Sequence, residues 1–151
     1  MPKRSAGLLI YRDRGEGPEV LLVHPGGPFF ARKDEAAWSI PKGLVDDRED
    51  ELIAARRETE EETGLLPDGP FRFLGEYKQP GGKTVVAWSV CVGTDLNPLI
   101  KPSNMFTIEW PPKSGRFQEF PEVDRVEWFT VEQAFIRMLK GQRPILDAFQ
   151  A

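Results

Sequence analysis

The chain has 151 residues, 20 Lys plus Arg against 24 Asp plus Glu, a formal net charge of −4, and 40% apolar and 11% aromatic residues. That fits one compact domain, residues 1–151, and is too apolar for a disordered chain. One cysteine and one histidine exclude a disulfide framework and a multi-imidazole zinc site, and mild acidity argues against a protein that coats extended nucleic acid. No apolar run approaches the roughly 20 residues of a membrane span, and the short N-terminal run Ala6–Tyr11 is too brief for a secretory core, so the expectation is a soluble cytoplasmic domain with no membrane partner.

In chain order, Ser5–Arg12 and Glu19–His24 are short apolar runs joined by Asp13–Pro18, and they read as adjacent strands. Pro25–Phe30, with two glycines and two prolines, is a loop. Trp38-Ser39-Ile40 reads as a short strand stopped by Pro41. Asp50–Thr63 is a charged helix ended by Gly64. Phe71–Gln79 and Lys83–Thr94 form a hairpin about Pro80-Gly81-Gly82. Prolines at 98, 102, 111, 112 and 121 punctuate Asp95–Pro121, with Met105–Trp110 a strand inside it. Val126–Phe129 is the last strand. Thr130 then caps a helix, with Gln133 completing a capping box and Gly141 ending it, and Pro144–Phe149 adds a helical turn or two. Strands on both sides of an internal helix, and another helix after the last strand, predict an α/β fold with a mixed sheet covered by helices. Within it, His24 reads as structural, Cys91 as a buried thiol, and Trp88 and Trp128 as core.

The internal helix is unusual. Asp46–Glu62 holds nine carboxylates against Arg48, Arg56 and Arg57. Like charges three or four apart destabilise a helix by roughly 0.2–0.5 kcal/mol per pair, and Glu60, Glu61 and Glu62 occupy the last turn, where the helix dipole is already negative. At about 100° per residue, Leu52, Ala55, Thr59 and Thr63 form the core stripe, while Glu58, Glu61 and Glu62 gather beside it. A solvated acidic face accounts for Glu51 and Glu60, but not for three carboxylates next to the core. Hard oxygen ligands of this kind select Mg²⁺ or Mn²⁺ over zinc.

Gly43, Glu49, Arg57-Glu58, Glu61-Glu62, Gly64 and Leu65 match the Nudix box, G-x5-E-x7-R-E-U-x-E-E-x-G-U, with Thr59 at the first aliphatic position. The chain therefore resembles the Nudix hydrolases. The resemblance implies an α/β/α sandwich and divalent-metal-dependent hydrolysis of a nucleoside diphosphate linked to another group. It implies that Glu58, Glu61 and Glu62 hold metal and that Arg57 orients them, with Glu49 as its partner. Gly43 would allow close backbone approach, so that a carbonyl near Lys42–Gly43 adds a neutral ligand. Which carboxylate takes the proton from the attacking water stays open. Glu122 is the first candidate for a carboxylate from outside the box, ahead of Glu119 and Glu109.

Trp38-Ser39-Ile40-Pro41-Lys42-Gly43 and the Ser5–Arg12 run are similar to dinucleoside tetraphosphate hydrolases, which implies that Lys42 reaches a phosphate; the stretch Asp95–Pro121 departs from them and is closer to a bacterial subgroup of nucleotide pyrophosphohydrolases. Lys83, Lys78, Arg32 and Lys33 are candidates for a polyphosphate groove, and Tyr77, Phe29 and Phe30 for stacking on a base, with Tyr77 preferred. The expected substrate is a small nucleotide, either a dinucleoside polyphosphate or a nucleoside triphosphate. ADP-ribose and inositol pyrophosphates are alternatives, and so are a nucleotide sensor without turnover and a Ca²⁺-binding or acidic interaction helix. Oligomeric state is not legible in the sequence.

Overall fold

The computed structural model describes residues 3–98 and 105–150; Pro102 lies outside them. Strands β1 (Arg4–Asp13), β2 (Pro18–Pro25), β3 (Lys42–Leu44), β4 (Arg72–Lys78), β5 (Thr84–Cys91) and β8 (Val123–Thr130) form one sheet in the order β4-β5-β1-β2-β8, with β3 also on β1. β1 is buried from Ser5 to Ile10, as its unbroken apolar run requires of a central strand covered on both faces. It pairs parallel with β5 and antiparallel with β2 and β3, so the sheet is mixed. β3 takes the start of β1, with Ala6 opposite Gly43, and β2 takes its end.

Side chains alternate between two cores, as strand geometry dictates. Ala6, Leu8, Ile10, Leu21 and Val90 meet Ala54, Ala55 and Leu65 on one face. On the other, Leu9, Val20, Leu22, Val85 and Ala87 meet Trp38, Ala134, Met138, Ile145 and Leu146. Helix α1 (Glu51–Thr63) covers the first face; α2 (Val131–Arg137) and α3 (Arg143–Gln150) cover the second. The result is an α/β/α sandwich. No helix among the described residues is long and apolar enough to cross a membrane.

α1 ends where its sequence says and begins one residue later than expected, at Glu51, with Asp50 as its cap. The Asp50 side chain accepts the Ile53 N–H at 3.1 Å, and Gly64 adopts φ 76°, a left-handed conformation that favours glycine, while its N–H donates to the Glu60 carbonyl. Ala54 joins Ala55, Thr59 and Thr63 as fully buried, and Leu52 packs at the edge. α2 carries both bonds of the capping box between Thr130 and Gln133, but it stops at Arg137 and does not run on to Gly141. Met138 turns extended to bridge Trp38, and the Leu139 N–H donates to the Trp38 carbonyl, so core packing overrides helical continuation.

Two further expectations need correction, and one strand has no counterpart in the sequence reading. Trp38-Ser39-Ile40 makes only isolated bridges, to Met138 and Val23, and the strand lies after Pro41. Met105–Glu109 is a strand, β6, but its partner is β7 (Phe117–Pro121), which the sequence reading did not contain. Cys91 is exposed at the end of β5. Trp88 and Trp128 are partly buried against the α1-side core, and His24 is fully buried, bonded to Asp124 and the Lys33 carbonyl.

Candidate active site

The site forms where β3 crosses the C-terminal half of α1. β3 is placed by what precedes it: the buried Gln142 accepts the Ile40 N–H at 3.0 Å and donates to Ser39 Oγ at 2.9 Å, and Leu8 N–H donates to the Pro41 carbonyl. A Cβ at Gly7 of β1 would fall 2.6 Å from that carbonyl oxygen and 2.7 Å from Lys42 Cβ. Only a glycine lets the two backbones meet there.

Two contacts lock β3 onto the helix. The Lys42 N–H donates to Glu62 at 2.9 Å. A Cβ at Gly43 would fall 2.0 Å from the Glu58 carboxyl carbon. Arg57 closes the other flank. Its guanidinium donates twice to Glu49, at 2.9 and 3.0 Å, once to Glu58 at 2.8 Å and once to the Leu44 carbonyl, with Glu61 at 3.4 Å. Glu49 also accepts the Asp46 N–H. These bonds, Arg57 first, hold the Glu49 carboxyl down to about 2.

Burial works against the other carboxylates. It pushes Glu62 up to about 8, against the Lys42 N–H and ammonium, which favour its ionised form. Burial also raises Glu58, against Arg57. Glu58 and Glu122 push Glu62 up further, and Glu61 and Glu122 push Glu58 up. Glu122, at the β7–β8 junction, thus belongs to the same electrostatic corner. Glu109 accepts the backbone N–H of Lys113 and of Gly115 in the β6–β7 turn, and neither it nor Glu119 lines the cleft beside Glu62 and Glu122.

Glu62, Glu122, Lys42, Phe30 and Leu139 line a cleft of about 220 Å³. Lys42 and Leu139 also line a second cleft of about 430 Å³ with Gln79, Lys83, Lys140 and Gly141. The two share a wall, so acid at one end leads through Lys42 to lysines at the other. Burial lowers the Lys42 pKa, Glu62 and Glu58 raise it, and Lys83 lowers it. Lys140, Gln79 and Leu139 are lining residues that the sequence reading missed: an exposed lysine in a 3₁₀ turn has no pattern to mark it.

Tyr77 lies elsewhere. Its hydroxyl donates to the Leu74 carbonyl at 2.7 Å and its ring packs on the core beneath α3, so it lines neither cleft. Its position near a hairpin tip is outweighed by the strand alternation, which turns the ring inward. Lys78, Arg32 and Lys33 line neither cleft.

The oxygen-only donor set and the desolvated like charges suit a hard divalent cation. Among the described residues, however, no three acidic, histidine or cysteine side chains stand close enough together to hold one. Glu58 and Glu61 turn to Arg57, and Glu62 to the Lys42 N–H. Glu58 and Glu62 are the groups whose charge these bonds leave undercompensated.

The NUDIX domain family matches residues 1–149, and the chain belongs to the Nudix family. It is similar to a CMP-5'-(N-acetyl-N-hydroxy-3-aminopropyl)phosphonate hydrolase of Streptomyces rubellomurinus, 63% identical over 70% of this chain and 43% of that protein. It is also similar to an 8-oxo-(d)GTP phosphatase of Mycolicibacterium smegmatis, 29% identical over 97% of this chain and 41% of that one. The chain thus spans less than half the length of these curated relatives. Among solved structures, an Ap4A hydrolase from C. elegans superposes with a TM-score of 0.69 at 23% identity, covering 97% of this chain and 95% of that one. The NUDIX domain of Shewanella oneidensis NrtR, complexed with ADP ribose, gives 0.70 at 14% identity, covering 99% and 87%. These two likenesses establish the Nudix fold.

Proposed function

We propose that the protein is a Mg²⁺- or Mn²⁺-dependent Nudix pyrophosphohydrolase that cleaves a phosphoanhydride bond in a nucleoside diphosphate-linked substrate, either a dinucleoside polyphosphate or a nucleoside triphosphate. The observation that carries this reading is the graded cleft: desolvated Glu62 with Glu122 at one end, backed by the charge of Glu58, Lys42 in the middle, and Lys83 and Lys140 at the other. A polyanion spanning it would find cations along its chain and carboxylates at one point only. The curated relatives above, by their names, act on a nucleotide phosphoryl linkage.

Glu58 and Glu62, with Glu61 and Glu122 as further donors, would hold the cation together with a carbonyl near Lys42–Gly43. When bound, it would supply Lewis acidity toward the phosphoryl oxygens and lower the pKa of the attacking water. The chain's own residues do the rest. Arg57, anchored on Glu49 and the Leu44 carbonyl, fixes the Glu58 rotamer. The Lys42 N–H fixes that of Glu62. The Lys42 ammonium neutralises charge on a phosphoryl oxygen as it develops, and Lys83 and Lys140 hold the distal phosphates. One of the α1 carboxylates accepts the water proton.

The test is a panel of diadenosine tetraphosphate, nucleoside triphosphates, ADP-ribose and inositol pyrophosphates, incubated with and without Mg²⁺, with products resolved chromatographically. Mg²⁺-dependent cleavage of the dinucleotide or the triphosphates supports the reading; no cleavage of any nucleotide overturns it.

A further inference from the structure

Beside the acidic end of the cleft stands a group of aromatic rings that the phosphate-binding residues do not use. Phe29 is 59% exposed, on the loop between β2 and Trp38. It meets Trp110 edge to face, with centroids 5.3 Å apart and planes at 79°. A loop phenylalanine this exposed, and yet held against a second ring, calls for a reason.

The loop beneath it is tightly fixed. The Gly26 N–H donates to the Glu122 carbonyl at 3.0 Å. A Cβ at Gly26 would fall 1.9 Å from the Pro121 carbonyl oxygen, and one at Gly27 would fall 2.7 Å from the Phe106 ring. Phe106 in turn lies against Phe120 across the β6–β7 hairpin. The hairpin is itself braced: the Trp110 N–H donates to the Arg116 carbonyl at 2.9 Å, and Gln118 donates to the Trp110 carbonyl at 3.1 Å. Phe29 and Trp110 are therefore held from both sides before any ligand arrives. Neither ring lines the cleft itself, but a chain neighbour of Phe29 does. Phe30, the next residue, lines it together with Glu122, whose backbone anchors the loop.

We propose that Phe29 and Trp110 form an aromatic platform that takes the nucleobase of the substrate, stacked on the exposed ring of Phe29, while its phosphates run toward Glu62 and Lys42. This rests on the nucleotide-hydrolase reading above and goes beyond it by naming the base-binding element. The occupant follows from position: a flat apolar ligand has to lie against the rings while a charged tail enters the cleft next door, and a nucleotide is built that way. Stacking suits any base because every base has a π-face, so the platform favours purines through ring area without reading a particular one.

The experiment compares a ligand with a base and one without. Binding of ATP and of inorganic tripolyphosphate is followed by titration calorimetry for the wild type, Phe29→Ala, Phe29→Leu and Phe29→Tyr, with melting temperature measured on each. Loss of one aromatic stack weakens binding by roughly 5- to 100-fold. Phe29→Ala and Phe29→Leu should show that loss toward ATP and no change toward tripolyphosphate, with melting temperature unchanged. Phe29→Tyr should bind ATP as the wild type does. Unchanged ATP affinity in Phe29→Ala, or an equal loss for both ligands, would overturn the platform alone. Failure of the wild type to bind ATP at all would overturn the nucleotide reading and the platform with it.

Discussion

Gly43→Ala places one methyl group directly against the proposed metal site. The added Cβ would sit 2.0 Å from the Glu58 carboxyl carbon and 2.2 and 2.4 Å from its oxygens. Unstrained carbon–carbon contact lies at about 3.5–4.0 Å, so the carboxylate must retreat by roughly 1.5 Å, or β3 must lift from α1. Gly43 does not adopt a positive φ, so alanine suits the backbone and the cost is steric. Overpacking of this kind costs about 1–3 kcal/mol, or a few degrees of melting temperature in a chain this size. The effect on turnover should be larger, because a misplacement of about 1 Å at a reacting centre can cost about 10²-fold. We expect kcat/KM for diadenosine tetraphosphate at saturating Mg²⁺ to fall about 100-fold while the protein stays folded. The assay is chromatographic product release beside a thermal melt. Turnover within a fewfold of wild type would refute the assignment of Glu58 to the site.

Burial raises the folded-state pKa of Glu62 to about 8, above its ordinary 4.5. The folded protein therefore keeps a proton that the unfolded chain has lost between those values, so metal-free stability should fall as pH rises from about 4.5 to 8. Melts from pH 5.5 to 8.5 should show that fall in the wild type and less of it in Glu62→Gln; parallel curves would contradict it. A cation that binds only the native state stabilises by RT ln(1 + [L]/Kd), so millimolar Mg²⁺ or Mn²⁺ should raise the melting temperature at pH 8. Hydrogen exchange without metal should find α1 less protected than α2, given the carboxylates at its negative end. Lys42→Ala should lower kcat/KM more for diadenosine tetraphosphate and GTP than for ADP-ribose, with Lys42→Arg only partly restoring it. Equal losses on all three would reject the polyphosphate preference.

The legibility of the sequence follows local signals. The end of α1 is readable to the residue because Gly64 is a local cap, and its start to within one residue, Asp50 being the cap itself; its acidic face is readable because helix periodicity needs no tertiary information. The pairing of Glu62 with the Lys42 N–H joins residues 20 apart and leaves no local trace. β3 spans three residues, Lys-Gly-Leu, and exists because β1 has an edge to fill. β7, Phe-Gln-Glu-Phe-Pro, alternates poorly and ends in proline, so only its pairing with β6 marks it as a strand. α2 had a capping box to announce its start, but its end is set by Met138 entering the core under Trp38, a contact 100 residues away. Tyr77 and Cys91 show the converse: residue type suggested a stacking ring and a buried thiol, and strand register decided otherwise.

Glu62→Gln tests the account most directly. It is nearly isosteric and keeps an oxygen for the Lys42 N–H, but it removes the charge proposed to hold the cation. Turnover of diadenosine tetraphosphate is measured against Mg²⁺ concentration for both proteins, with a melt on each. The account predicts strictly metal-dependent hydrolysis by the wild type, and loss of most of it in a folded Glu62→Gln that saturating Mg²⁺ does not restore. Near-wild-type turnover by Glu62→Gln at saturating Mg²⁺ would contradict it.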